Sequence, residues 1–239
     1  LTPCIAQFAV RLLHQAGVPD HAIHCLPGDG VTGALLTASP HVAAVLFTGS
    51  CATAKQIQRS LLQHGPARGL PLLIAETGGQ NAMVVDSSAH LDQVVHDVIE
   101  SAFDSAGQRC SALRVLCVQE EVATLLVSAL LGAMQSLRLG DPGLLKTDIG
   151  PLIDPHAKSR VDAHIVHMRS LGLPVHQAGE LEPGTGSDFV LPTVIEIDRL
   201  DQLQHEVFGP VLHVLRFSQP DLPALMEQIN ESGFALTFG

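Results

Sequence analysis

The sequence predicts an α/β fold, a doubly wound parallel sheet that leads into a second α/β layer. Three observations predict it. Apolar runs of strand length, residues 42–49 (VAAVLFTG) and 70–76 (LPLLIAE), suit strands buried on both faces of a parallel sheet. Stretches of helical period alternate with them. Glycine-bearing turns stand where strands should hand over to helices, at 28–33, 49–50 and 78–79.

Each element follows in chain order. Ile5, Phe8, Ala9, Leu12 and Leu13 recur at helical spacing, and Gly17-Val18-Pro19 ends that helix. Residues 22–27 (AIHCLP) read as a short strand, and 28–38 as a turn running into a helix. The strand at 42–49 is followed by a helix at 51–63 and the strand at 70–76. After Gly78-Gly79 the pattern restarts: a strand at 81–86, a helix at 90–106, a strand at 112–119 and a long amphipathic helix at 120–137. Residues 139–155 are loop-rich, a helix is expected at about 156–171, and strand material at 174–177 and 189–197. The polar, Gly-rich stretch 179–188 between those strands reads as a surface turn. A strand at 211–217 and a helix at 221–231 complete the pattern, with a boundary expected near 77–80.

Composition excludes several classes. With 46% hydrophobic and 15% charged residues, the 239-residue chain is no disordered polymer. The balance of 13 Lys+Arg against 24 Asp+Glu, −11, disfavours nucleic acid and anionic membranes as partners. Trp and Tyr are absent, which removes the usual stacking platform for single strands. No apolar run reaches the ~18 residues of a membrane span, and the first residues, LTPCIAQFAVRLLHQ, are not read as a signal peptide. Five cysteines with no CxxC pair argue against a disulfide framework or a thiolate metal site, so a reducing cytoplasm is expected. The chain starts at Leu1 and stops at Gly239 in an apolar run, and both ends are read as cut.

Four clusters could carry chemistry. Gly28, Gly30 and Gly33 form a turn that could aim a helix N-terminus at a phosphate, or be only a tight turn. Thr48, Gly49 and Ser50 close the next strand, where Ser50 either touches a pyrophosphate or merely caps a helix. Glu76-Thr77-Gly78-Gly79-Gln80-Asn81 places a carboxylate at a strand's carboxyl end, where open α/β sheets act, although a solvated turn Glu would look the same. Cys110 stands in a glycine-containing loop beside Arg109, a positive neighbour that favours a thiolate. Most cysteines are inert core residues, and Cys4, Cys25, Cys51 and Cys117 take that reading. Glu206-Val207-Phe208-Gly209-Pro210 precedes the last strand and could be only its turn.

The order FTGS, ETGGQN, GQRC, EVFGP resembles the signature of the aldehyde dehydrogenase superfamily, over the whole chain. Residues 75–89, 101–119, 147–154 and 206–214 are similar to one branch, the aldehyde dehydrogenase domain of bifunctional proline utilization A flavoenzymes. The resemblance implies a partial Rossmann-type NAD-binding domain at 1–77 and an α/β catalytic domain at 78–239, whose C-terminal part is left open between the two. It implies Cys110 as nucleophile and Glu76 as base. NAD contacts are implied at Gly28, Thr48, Gly49, Ser50, Thr77, Gly78, Glu206 and Phe208, and substrate contacts at Arg109 and Ser111, with no metal. The implied reaction is NAD-dependent oxidation of L-glutamate γ-semialdehyde, the open form of 1-pyrroline-5-carboxylate, to L-glutamate in proline catabolism.

Many members carry Gly where this chain has Ala54, a change the proline branch tolerates. A family Lys for the adenosine ribose and an oxyanion Asn would precede residue 1. A carboxylate-binding loop and an oligomerisation strand would follow Gly239. A flavin-dependent proline dehydrogenase domain and homo-oligomerisation are expected of the full-length protein. Another semialdehyde as substrate, or a truncated inactive module, are the alternatives. A cysteine hydrolase would need a His partner for Cys110, and no His stands in such a motif. Asp148 and Asp154 are assigned turn roles, and the 13 His surface or core roles.

Overall fold

A computed structural model describes residues 2–64, 71–234 and 236–239. The chain divides into two compact units, Leu1–Thr77 and Gly78–Gly239.

In the first unit, α1 (Pro3–Gln15), α2 (Gly30–Thr37) and α3 (Cys51–His64) accompany two parallel strands, β1 (Ala44–Gly49) and β2 (Leu72–Thr77). Residues 22–27 form no strand. A strand is stable only with a ladder partner, and the ladder of this unit holds β1 and β2 alone among the described residues. Nor are the two strands buried on both faces, since Leu46 is 77% exposed and Leu72 and Ile74 are largely exposed. Among the described residues of this unit, two strands and three helices offer too few neighbours to cover both faces. Leu70, placed in the second strand by its apolar run, lies outside the described residues. Cys4 and Cys51 are exposed and Cys25 half-buried, so none is the core residue expected.

The second unit holds a five-stranded sheet in the order β3-β4-β9-β8-β6. β3 (Ala82–Val85), β4 (Val115–Gln119), β9 (Val211–Phe217) and β8 (Thr193–Ile197) run parallel, and β6 (Val175–Gln177) joins antiparallel at the edge. Residues 236–239 run beside β3: the Gly239 N–H donates to the Ala82 carbonyl at 3.0 Å and the Val84 N–H to Gly239 at 2.9 Å. Every residue of β4 is buried, as both-face coverage requires.

The helices bury one stripe each. In α6 (Pro155–Ser170), Ala157, Val161, Ile165 and Met168 recur at helical period and are buried. Pro155 suits its first turn, and Asp154 accepts from the Ala157 N–H at 2.7 Å. α5 (Glu120–Met134) buries Leu126, Leu130 and Met134, and α7 (Leu222–Glu231) buries Leu225. α4 (Leu91–Phe103) ends three residues before the expected Ala106, because Ser105, Ala106 and Gly107 all take positive φ. Inside the loop-rich 139–155 and 179–188 stretches, β5 (Arg138–Leu139) pairs with β7 (Glu180–Leu181), a ladder too short to show in a sequence pattern.

One polar pair sits in this core. His213 of β9 is fully buried, and its Nε2 lies 2.8 Å from the Nε2 of His164 on α6. His213 Nδ1 is 3.1 Å from the Arg114 carbonyl, which can only accept. The network therefore assigns the His213 proton to Nδ1, and His164 Nε2–H donates to His213 Nε2. Burial pushes His164 down to about 4 and His213 down to about 3.

Leu116, fully buried in β4, should lose about 2–5 kcal/mol of stability on Leu116→Ala, read from urea unfolding. The histidine pair sets an acid limit. Unfolded histidine takes a proton near 6.5, whereas the folded pair stays neutral down to about 4. Stability is therefore full above about 6.5 and lost as pH falls below it. His213→Leu should flatten the fall in urea midpoint between pH 7 and pH 5, and equal slopes in the two proteins would show that the pair does not titrate in that window.

Candidate functional site

Within the first unit, the register brings two motifs side by side. Thr48 stands opposite Glu76 and Gly49 opposite Thr77, at the carboxyl ends of two parallel strands. The Glu76 side chain is exposed there. Ser50 follows directly, and its Oγ accepts from the Thr53 N–H at 3.2 Å, so it caps α3. Gly49 is needed because a Cβ would lie 2.5 Å from the Phe47 ring. The sequence leaves the turn at Gly28 open between a phosphate-aiming turn and a plain tight turn. The Asp29 side chain accepts from the Val31 and Thr32 N–H groups at 3.0 and 3.1 Å, so the chain's own carboxylate takes the start of α2. Those hydrogen bonds hold the Asp29 carboxyl below its usual value.

Within the second unit, Cys110 is exposed on the loop between α4 and β4. Ser105 and Ala106 adopt φ of 55° without being glycine, a conformation that costs of order 1–3 kcal/mol each and persists only where surroundings over-determine it. The surroundings are explicit. Gln108 donates to the Pro151 carbonyl at 3.2 Å and accepts from the Ile153 N–H at 2.8 Å, which ties the loop to residues 151–153. The Asn81 side chain, 2% exposed, donates to the Cys110 and Ala112 carbonyls, each at 2.8 Å, and its oxygen accepts from the Thr237 N–H at 3.0 Å. Thr237 Oγ1 donates to the Ser111 carbonyl at 3.3 Å.

The cation nearest the heart of this loop is not the one expected. Arg109 is exposed, and its Nε donates to Ser105 Oγ at 3.0 Å. Arg114 is the buried one, 1% exposed. Its guanidinium donates to the Arg109 carbonyl and the Gly209 carbonyl, both at 3.1 Å, pairs with Glu206 Oε1 at 3.4 Å, and lies 5.3 Å from the Phe208 ring centroid. Burial lowers the Arg114 pKa, opposed by the charge and the hydrogen bond of Glu206. Burial likewise raises Glu206, opposed by Arg114 and by the Gly79 N–H. A Cβ on Gly78 would lie 1.7 Å from Glu206 Oε2, so glycine at this position lets that carboxylate approach the backbone. Cys117 is fully buried in β4, and burial pushes its thiol up to about 12, as an inert core cysteine requires.

Two hollows flank these residues. A cavity of about 1010 Å³ runs between α6 and residues 199–208, walled by Glu206 and Phe208 and by the cationic Arg160 and Arg199, with His164 and His205. A smaller cleft of about 300 Å³ is shared by Arg109, Ser111, Asp97 and Glu100. The structure thus brings Cys110, Arg109 and Ser111 onto one loop and Glu206 and Phe208 onto the neighbouring one. Sequence reasoning missed Asn81, Gln108, Arg114 and the histidine pair. Their signal was present: Asn81 ends the ETGGQN motif and Arg114 follows Cys110 by four residues. Among the described residues no group of three or more His, Cys, Asp or Glu could hold a metal, and no helix is long and apolar enough to cross a membrane.

Comparison with known proteins bears on what this arrangement is. The chain is 53% identical over 248 residues to the bifunctional protein PutA of Escherichia coli (strain K12), covering 100% of this chain and 19% of that protein. It is 33% identical over 244 residues to the mitochondrial delta-1-pyrroline-5-carboxylate dehydrogenase of Danio rerio, covering 99% of this chain and 44% of that protein. A crystal structure of bifunctional proline utilization A matches it with a TM-score of 0.94 and 47% identity, over 100% of this chain and 24% of that one. The chain therefore spans about a fifth of the length of the bifunctional relatives it matches. The model of the aldehyde dehydrogenase family matches residues 1–239. On that match and those identities, the chain belongs to the aldehyde dehydrogenase family.

Proposed function

We propose that this chain carries out the NAD-dependent oxidation of L-glutamate γ-semialdehyde, the open form of 1-pyrroline-5-carboxylate, to L-glutamate. One observation carries the reading: an exposed cysteine on a left-handed loop whose carbonyls are fixed by Asn81, Thr237 and Arg114, in a member of the aldehyde dehydrogenase family. The name of one relative, a delta-1-pyrroline-5-carboxylate dehydrogenase, supports the semialdehyde as substrate. On this reading residues 1–77 are part of an NAD-binding domain and 78–239 the catalytic domain. A proline dehydrogenase domain, homo-oligomerisation and a cytoplasmic location belong to the same proposal.

The residues present suit a dinucleotide. Gly78 leaves room at the Glu206 carboxylate that a Cβ would fill, and the wall of Arg160 and Arg199 beside it is cationic. Within the second unit, Glu206 and Phe208 would hold the nicotinamide ribose, with Gly78 against the Glu206 carboxylate; within the first, Gly49 and Ser50 would hold the pyrophosphate, with Thr48 and Thr77 on the paired strands. Gly28 is the weakest of these contacts, since Asp29 occupies its turn.

The Cys110 thiolate attacks the aldehyde carbon, forming a C–S bond as the C=O π electrons move onto oxygen, and the Cys110 backbone N–H is the donor toward that oxyanion. NAD held by these residues would supply the hydride acceptor; as the hydride leaves, the oxyanion returns to a carbonyl and the carbon remains bound to Cys110 as a thioester. Glu76 takes a proton from water, and the resulting hydroxide attacks the thioester carbon. The C–S bond breaks, Cys110 leaves as thiolate, and the carboxylate product is free. Arg109 and Ser111, which line one cleft, would meet the substrate's own carboxylate once Arg109 turns from Ser105.

The test uses the full-length protein that contains this chain, with NADH formation read for 1-pyrroline-5-carboxylate against uncharged aldehydes. Cys110→Ala should abolish turnover and leave NAD affinity unchanged; near wild-type turnover would overturn the mechanism. Glu76→Gln should keep a pre-steady-state burst of NADH while slowing turnover by about 10²–10⁴. Loss of the burst would assign Glu76 to a step before hydride transfer. Equal kcat/KM for uncharged aldehydes and the semialdehyde would overturn the substrate assignment.

A further inference from the structure

We propose that Arg114 is a positioning residue that locks the Cys110 loop to the Glu206–Pro210 loop, so that the thiol and the Glu206 carboxylate keep one spacing; this rests on the reading of Cys110 and Glu206 given above. The geometry is specific to a fork. One guanidinium nitrogen donates to Gly209, 95 residues away in sequence, and another to Arg109, the residue before Cys110, with Glu206 Oε1 at 3.4 Å from the latter. The guanidinium carbon lies over the Phe208 ring, 5.3 Å from the centroid. Arg114 is itself held at both backbone ends: its N–H donates to the Asn81 carbonyl at 3.0 Å and its carbonyl accepts from the His213 N–H at 2.8 Å.

The two loops also touch as bare backbone. A Cβ on Gly107 would lie 2.2 Å from the Gly209 carbonyl oxygen, the same oxygen that Arg114 binds. Glycine thus lets the two loops meet, and the guanidinium fixes them there. Packing alone does not call for a cation at this place. Burying a charge is costly unless its hydrogen bonds are made to several partners at once, and those partners all belong to the two loops. Lysine has one ammonium and cannot reproduce the fork.

The test reads hydrogen exchange in the full-length protein by mass spectrometry, beside kinetics. In Arg114→Lys, protection should fall about 10- to 100-fold together in peptides covering residues 107–113 and 206–210, the worth of one charged hydrogen bond, with β8 and α5 unchanged. kcat should fall and the KM for NAD should rise in the same variant. In Glu206→Gln, NAD affinity should fall while exchange at 107–113 stays as in wild type, because the bonds to Arg109 and Gly209 remain. Loosening of only one segment, or a uniform loss across the protein, would overturn the proposal. If Arg114→Lys does not fold, wild-type exchange in increasing denaturant decides: the two segments must open in one step, and separate openings overturn it. A wild-type protein that neither binds nor reduces NAD would overturn the functional reading alone, while the exchange comparison still decides the role of Arg114.

Discussion

A loop that leaves a core to present one side chain to water brings several peptide carbonyls with it, and each must find a donor. In this protein that constraint organises the second unit. The carbonyls of Arg109, Cys110, Ser111 and Ala112 accept from Arg114, Asn81 and Thr237. These donors come from the loop's own strand, from the segment ahead of β3 and from the segment beside β3. Two of them, Arg114 and Asn81, are buried and meet the loop from its inner side, whereas Thr237 is exposed and meets it from the rim. The core exists at this end of the sheet as much to hold these donors as to exclude water.

Strain is the counterpart of that hold. Left-handed Ser105 and Ala106 would relax in an isolated peptide. They persist because Gln108 fastens the next residues to 151–153 and Asn81 fastens the far side. Asn81 commits both of its side-chain N–H groups and its oxygen in one place: the N–H groups to two carbonyls and the oxygen to Thr237. The buried His213 reaches the same region from behind, through the carbonyl of Arg114.

Much of this was legible in the residues alone. Apolar period placed β9, α6 and α7 within a residue or so of where they lie, since each is a long, uninterrupted pattern. The four motifs were legible because glycine marks backbone approach, as Gly78 against Glu206 shows. What was not legible depends on distance in sequence. The supposed strand at 22–27 looked right locally and lacks a ladder. Arg114 looked like one more strand residue, since nothing in its neighbourhood announces Gly209 or Glu206. Arg109 drew attention by standing next to Cys110, yet adjacency along the chain placed its side chain on Ser105 instead.

The span between Cys110 and its supports has a consequence for synthesis. Asn81 emerges from the ribosome before the loop, but Glu206, Gly209 and Thr237 emerge about a hundred residues after it. At roughly 5–20 residues per second, the loop waits on the order of ten seconds for the partners that complete it. β4 waits as well, because its neighbour β9 is made equally late. During that interval the nascent chain carries an exposed thiol on an unfinished loop and an apolar strand with one side unpaired. The order of the segments along the chain therefore makes the thiol the last feature of this unit to reach its working geometry.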